Sequence, residues 1–312
     1  MAQLSGDPVQ SAQISGEPIT GTQITGAQLL AWRREQLALG GSRADLDWLL
    51  DLGGGLRWQA QQQLHLDPQR RLMLQRSLDD LAKLWRRHRS TAEPLQYLLG
   101  VCPWRDLALE VAPGVLIPRQ ETELLVELAF SLVGAEEPGC WADLGTGSGC
   151  VAAALAQAWP KSQGFAVDRS CEALAMARRN LKAAASVTLL EGSWWQPLQP
   201  WWGHLALVVS NPPYIPTTVW QQLDPGVRDH EPAMALDGGP DGLDALRAIA
   251  AGADQALAPG GWLVLEHHHD QSAAVVALLE ASGLEQVRAH QDLEGTWRFA
   301  SGRRPLPGEP SP

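Results

Sequence analysis

Asp143-Leu144-Gly145-Thr146-Gly147-Ser148-Gly149 opens at the end of an apolar run near 140–145 and leads straight into the alanine-rich stretch Val151 to Trp159. An apolar run feeding a glycine-rich turn and then a helix is the local pattern of a strand-turn-helix unit in an α/β protein. Glycines let the backbone turn tightly and approach a ligand closely, and the helix N-terminus that follows attracts negative charge. The spacing Gly-x-Gly-x-Gly differs from the Gly-x-Gly-x-x-Gly that cradles a dinucleotide pyrophosphate.

Outward from this stretch, strand and helix signals alternate. Strands are predicted near 140–145, 164–168, 186–191, 204–210 and 261–267, with Ala-rich or Leu-rich helical stretches between them. That alternation predicts a parallel sheet covered on both faces. Glu285 to Arg288 and Thr296 to Ala300 are strand-like with no helix between them, so an antiparallel hairpin at the sheet edge is expected. The glycine turn, Asp168 and a tetrad after the fourth strand then converge on the carboxyl edge, where open α/β folds bind ligands. Asp168 ends the second strand, where its carboxylate can accept from both hydroxyls of a ribose. Trp194 follows the third, with a face that can stack on an adenine or shield the sheet edge. Asn211-Pro212-Pro213-Tyr214 follows the fourth. Its Asn211 oxygen and Pro212 carbonyl can both accept from a planar NH2 group, the prolines stiffen the loop, and Tyr214 offers a packing face. S-adenosylmethionine has no phosphate and needs an acid near its amino group, a role open to Asp143.

The 312 residues predict roughly two domains. Residues 1–26 repeat with a period of ten (Gln3-Leu4-Ser5-Gly6, Gln13-Ile14-Ser15-Gly16, Gln23-Ile24-Thr25-Gly26) and are expected to be a disordered tail. Residues 27–98 read as a helical domain, with a long helix after Asp67-Pro68 carrying Leu72, Leu74, Leu78, Leu81 and Leu84. Residues 99–118 read as a β-hairpin linker, its strands placed on Leu107, Leu109, Val111 and on Val115, Ile117 around Ala112-Pro113-Gly114. Residues 119–302 form the expected catalytic domain, starting with a helix from about Gln120, and 303–312 a frayed tail.

A net charge of −11 opposes broad binding to phosphate backbones, so no direct nucleic-acid target is expected. Arg86-Arg87-His88-Arg89 ends a predicted helix, where positive charge complements the dipole. No apolar run reaches the ~20 residues of a membrane span and the N-terminus lacks a signal-peptide pattern, so the expected location is the cytoplasm. Cys102, Cys140, Cys150 and Cys171 lack zinc spacing and are expected as free thiols. No metal is expected at His267-His268-His269, because neighbours on a strand point to opposite faces.

These residues together resemble the HemK/PrmC family of release factor glutamine N5-methyltransferases. The likeness runs from roughly Leu29 to Gly302 and rests on Glu93 to Gly100, Val115 to Glu123, Asp143 to Gly149, Asn211 to Tyr214 and Leu236 to Leu243. It implies a helical N-terminal domain for substrate recognition, a hairpin linker and a Rossmann-like domain that uses S-adenosylmethionine. The implied substrate is the glutamine of the Gly-Gly-Gln loop in class 1 peptide release factors, and a monomer is expected. By position, the implied cofactor residues are Gly145, Thr146, Gly147, Ser148, Gly149, Asp168, Trp194 and Asn211, beside Asp143, and Asn211, Pro212 and Tyr214 are the implied catalytic residues. Together with Pro213 and Glu231 they would hold the glutamine, Glu231 at the substrate entrance. Departures from the family are Gln120 for a proline, Trp104 for a phenylalanine, and Glu266-His267-His268-His269 for a Glu-Ile-Gly or Glu-His-Gly segment.

Rival readings share the tetrad: glutamine methylation on a ribosomal protein, or amino-group methylation of adenine or cytosine in nucleic acid. The latter would need base extrusion and a basic recognition surface. A non-catalytic S-adenosylmethionine-binding protein fits the intact tetrad less well.

Overall fold

The computed structural model describes residues 21–134 and 136–308. The chain divides into two compact units at Thr91 and Ala92, so the boundary lies seven residues earlier than the expected end of the helical domain at 98. Among the described residues, no helix is long and apolar enough to cross a membrane.

The first unit runs β1 (Thr22–Thr25), α1 (Gly26–Ala38), α2 (Arg43–Trp48), a π turn (Leu49–Gly53), α3 (Trp58–Gln63), β2 (Arg71–Leu74) and α4 (Leu78–Thr91). Leu29, Leu46, Leu49, Leu50, Leu74, Leu81 and Trp85 are fully buried in it. Two expectations fail here. The third repeat copy is ordered: residues 22–25 pair antiparallel with β2, and Thr25 and Gln28 form a capping box at α1. The first two copies lie outside the described residues. The long helix carrying Leu72 and Leu74 is broken instead, because Arg71-Leu72-Met73-Leu74 alternates exposed and buried as a strand. Ser77 then accepts from the Asp80 N–H at 3.1 Å and starts α4 afresh.

The second unit opens with α5 (Leu95–Leu99), then β3 (Val101–Trp104) and β4 (Leu107–Glu110), which form an antiparallel hairpin. The expected hairpin was displaced by one strand. Leu107 and Leu109 pair back onto Val101–Trp104, and Ile117 instead spends its N–H on the Glu231 carboxylate. The elements that follow are α6 (Glu123–Val133), β5 (Cys140–Leu144), α7 (Cys150–Ala158), β6 (Gln163–Asp168), α8 (Cys171–Asn180), β7 (Val187–Glu191), β8 (Leu205–Ser210), α9 (Thr217–Trp220), α10 (Pro225–Arg228), α11 (Asp244–Ala256), β9 (Leu257–Glu266), α12 (Ser272–Ala281), β10 (Glu285–Gln291) and β11 (Trp297–Arg303). One seven-stranded sheet has the order β10-β11-β9-β8-β5-β6-β7. Strands β5 to β9 are parallel, and β11 is antiparallel to both its neighbours.

Alternation along the strands fills two cores. Trp141, Val209 and Val264 face one side with Leu125, Val126 and the α7 alanines; Ala142, Leu144, Val208 and Leu265 face the other with Leu246, Ile249, Val275 and Leu279. Gly164 is required opposite Trp141, since a Cβ there would sit 2.2 Å from the indole. All four cysteines are free. The start of the stretch expected to fray from 303 is ordered, because Arg303 closes β11 and the Arg304 N–H donates to the Gly261 carbonyl at 2.8 Å.

The order of strands reverses at β5, whose neighbours are β6 and β8. The loops leaving β5, β6, β7 and β8 therefore open onto one crevice at the carboxyl edge.

Candidate active site

The glycine loop is built almost wholly from backbone. Gly145 and Thr146 N–H groups both donate to the Val167 carbonyl at 2.8 and 2.9 Å, and Gly149 donates to Thr146 at 2.8 Å. Gly145, Gly147 and Gly149 have φ of 73°, 55° and 82°, so each stands where a side chain would be strained. Asp168 holds the loop from the next strand, accepting from Gly147 N at 2.9 Å and from Ser170 N at 2.9 Å. Its oxygens retain lone pairs for a ligand.

Gly145, Gly147, Asp168, Trp194 and Asn211 line a cleft of about 670 Å³, joined by Ser170, Leu116 and Met234. Trp194 reaches over the loop, its ring 3.4 Å from a Cβ built on Gly145, and holds a left-handed φ of 48°. Its neighbours differ. Trp195 is buried and donates to the Ile249 carbonyl, while Trp201 packs on Phe165 at 4.3 Å.

Asp143, Thr146, Ser148 and Gly149, expected as cofactor contacts, do not line this cleft. Asp143 is buried beneath the loop, where it accepts from the Thr146 hydroxyl at 2.6 Å and from the backbone of Ala152. Burial pushes its carboxyl up to about 7, against those two hydrogen bonds. It supports the turn and has no face toward a ligand. Sequence reading also passed over Asn180, which donates to the carbonyls of Glu110 and Ser148 and accepts from Glu110 N, tying β4 and the glycine loop to α8.

The tetrad forms the wall between this cleft and a second cavity of about 550 Å³, lined by Arg119, Pro212, Tyr214 and Ile215 and sharing Leu116, Asn211 and Ala235 with the first. Asn211 thus faces both spaces. The loop is braced by the Leu236–Leu243 segment: Ile215 bridges Asp237, and the Thr217 hydroxyl donates to Asp237 at 2.7 Å. Gln271 donates to the Tyr214 carbonyl at 2.9 Å. Gly242, at φ 75°, lies so close that a Cβ would be 2.3 Å from the same carbonyl.

Behind the tetrad runs a chain of side chains. Asn211 Nδ2 donates to Thr122 Oγ1 at 2.9 Å, Thr122 donates to Glu266 Oε2 at 2.7 Å, and the Tyr214 hydroxyl donates to Glu266 Oε1 at 2.9 Å. Glu266 is 1 % exposed, and burial drives its carboxyl up to about 7 although both hydrogen bonds pull it down. Burial also holds the Tyr214 phenol well above its ordinary value. Thr122 stands at the N-cap of α6, but its hydroxyl caps nothing and turns to Glu266.

Glu231 is not at a substrate entrance. It is 5 % exposed, with one oxygen accepting from Ile117 N at 3.1 Å and the other paired with Arg119 at 2.8 Å. It fixes the strip 116–119 that walls both cavities. Trp104, where the family favours phenylalanine, uses its indole N–H to hold the Arg119 carbonyl at 2.7 Å. The strand argument against a metal at 267–269 does not apply beyond Glu266, where β9 ends. His268, His269 and Asp270 bring their ligand atoms within 4.8 Å of one another, a grouping able to hold an ion.

Comparison with known proteins agrees with this geometry. The Methyltransferase small domain family matches residues 121–222. The release factor glutamine methyltransferase of Prochlorococcus marinus is 50% identical over 283 residues, covering 89% of this chain and 97% of that protein. That of Synechocystis sp. is 40% identical over 283 residues, covering 87% and 93%. The crystal structure of the hMettl16 catalytic domain with an RNA hairpin superposes with a TM-score of 0.52 at 14% identity over 75% of this chain and 84% of that one, a likeness of fold alone. With its identity to these relatives spread over nearly its whole length, the chain belongs to the release factor glutamine methyltransferase family.

Proposed function

We propose that the protein transfers a methyl group from S-adenosylmethionine to the side-chain amide nitrogen (N5) of the glutamine in the Gly-Gly-Gln loop of class 1 peptide release factors. The single observation that carries this reading is Asn211 in the wall common to two cavities, one suited to the donor and one to the acceptor.

The residues lining the donor cleft fit S-adenosylmethionine in chemistry. Asp168 would take the ribose hydroxyls, Trp194 the adenine face, and the Gly145–Gly147 backbone a close approach. Bound there, S-adenosylmethionine supplies a methyl on a positively charged sulfur, which leaves as a neutral thioether as the C–N bond forms and the nitrogen gives up one proton. The protein's part is orientation. An amide nitrogen is a poor nucleophile, so Asn211 Oδ1 and the Pro212 carbonyl fix both N–H bonds while Tyr214 packs the acceptor and the stiff loop holds the distance. Arg119 is the cation among the residues lining the acceptor cavity, and its charge is matched by Glu231, which suits a neutral carboxamide. The helical unit is assigned to choosing the protein partner; Leu30, Leu37, Arg34, Arg43 and His65 line a recess of about 530 Å³ in it. With a net charge of −11, a protein acceptor is favoured over nucleic acid.

The test incubates the protein with methyl-labelled S-adenosylmethionine and a release factor, then locates the label by mass spectrometry. Label on the Gly-Gly-Gln glutamine is expected, and none on a release factor with that glutamine replaced by alanine. Label on a ribosomal protein or on nucleic acid instead would overturn the reading.

A further inference from the structure

Among the described residues, Glu266 is a buried carboxylate with no cation in ion-pair contact, Arg298 acting on it only at longer range. It is 1 % exposed at the end of a central strand, and the hydrogen bonds its side chain makes there are those from the Thr122 and Tyr214 hydroxyls. Keeping such a group is expensive, since a charge taken out of water is stabilised only by what it bonds, and an apolar residue of similar volume would pack there without that penalty. Its hydrogen bonds have a consequence one step away. An ionised carboxylate can only accept, so the one proton of Thr122 is committed to Glu266. The Thr122 oxygen is then left with lone pairs alone, and of the two ends of the Asn211 amide only the NH2 can meet it, as it does at 2.9 Å. The oxygen end must face the other way.

We propose that Glu266, acting through Thr122, fixes which end of the Asn211 amide faces the acceptor cavity, and is thereby a positioning residue for methyl transfer. The inference rests on the reading of Asn211 as the clamp of the substrate amide. A substrate NH2 offers only donors, so a clamp presenting its own NH2 would lose the bond and turn two donors against each other. Thr122 Oγ1 sits between Asn211 and Glu266 as a one-proton switch, and the direction of that proton decides the outcome. Glu266→Gln brings a donor as well as an acceptor. The new amide can donate to Thr122, free the threonine proton for Asn211 Oδ1, and so reverse the clamp. The second carboxylate oxygen holds the Tyr214 hydroxyl, so the same residue secures the ring lining the acceptor cavity.

Three variants test this on the full-length protein. Thr122→Ser keeps the hydroxyl and is expected to keep kcat. Thr122→Val keeps the shape without the hydroxyl, and Glu266→Gln keeps the shape without the acceptor-only character; each is expected to lower kcat on the order of 10²-fold through misorientation of the amide. S-adenosylmethionine affinity, measured by calorimetry, is expected to stay at the wild-type value in all three, which a general loss of structure would not allow. The double variant Thr122→Val, Glu266→Gln is expected to be no worse than the poorer single one, because both break one chain. Full kcat in Thr122→Val overturns the proposal, as does a loss in Thr122→Ser equal to that in Thr122→Val. A wild-type protein that methylates no glutamine would sink the parent reading instead, so the two failures are distinct.

Discussion

The donor half and the acceptor half of the site are made from different materials. The donor half is a run of seven residues whose shape comes from three left-handed glycines and from backbone hydrogen bonds to the adjacent strand. The acceptor half is a side-chain assembly: Asn211 bonds Thr122 89 residues away, and Thr122 bonds Glu266 144 residues away. A backbone-built site tolerates change in side chains but not in φ, whereas a side-chain site tolerates backbone neighbours but not a lost donor or acceptor.

Variants in each half should therefore separate binding from turnover. The largest effect belongs to the acceptor half: Asn211→Ala should lower kcat on the order of 10³-fold, as removal of a preorganised orienting group does. Its S-adenosylmethionine affinity should change little in calorimetry, and near-normal turnover would break the contrast. In the donor half, Gly147→Ala places a Cβ at φ 55°, which costs about 1–2 kcal/mol. Weaker donor binding and a lower Tm should follow. Trp194→Ala should raise the Kd for S-adenosylmethionine by roughly two- to tenfold, the size of a lost aromatic contact of about 0.5–1.5 kcal/mol. Its kcat at saturating donor should hold, and a kcat loss with unchanged Kd would move Trp194 to the other half.

The smallest effects concern pH. Asp143 and Glu266 both have carboxyls raised by burial to about 7 from ordinary values of 3.8 and 4.5. A group raised in the folded state favours folding most below its unfolded pKa, and that contribution is lost as pH rises through the folded value. Thermal stability should accordingly fall between about pH 4 and pH 7 on account of these groups. Asp143→Asn, which can still accept from Thr146, should flatten part of that slope in a melting series. Turnover should run in the opposite sense, falling below about pH 7 as Glu266 gains a proton and can donate to Thr122. Arg298 and Glu121 act on the same carboxyl in opposing directions, the first lowering and the second raising its pKa.

Legibility in sequence followed the same divide. The strand alternation, the edge hairpin, the glycine turn and the tetrad are contiguous patterns, and a single stretch of chain carries each. Thr122 and Glu266 carry no such mark, because each takes its role from the other across 144 residues of chain. Asp143 and Glu231 fail for the reverse reason. Their types and positions suit a ligand contact, yet both spend their oxygens inward on Thr146, Ile117 and Arg119. The helical reading through Leu72 and Leu74 fell because four residues fit both a period of two and a period of 3.6, and only the partner strand decides.

The polarity of the Asn211 wall also bears on fidelity. A glutamate is nearly the same size as a glutamine, and an apolar pocket would separate the two poorly. In the proposed clamp, two oxygens turned to the acceptor give a carboxylate no proton to share and add repulsion, so its exclusion needs no bulk, only lone pairs facing inward. Discrimination by unmet polar groups of this kind reaches about 10⁴-fold in other enzymes, and here it would be set by the tilt of a single threonine proton.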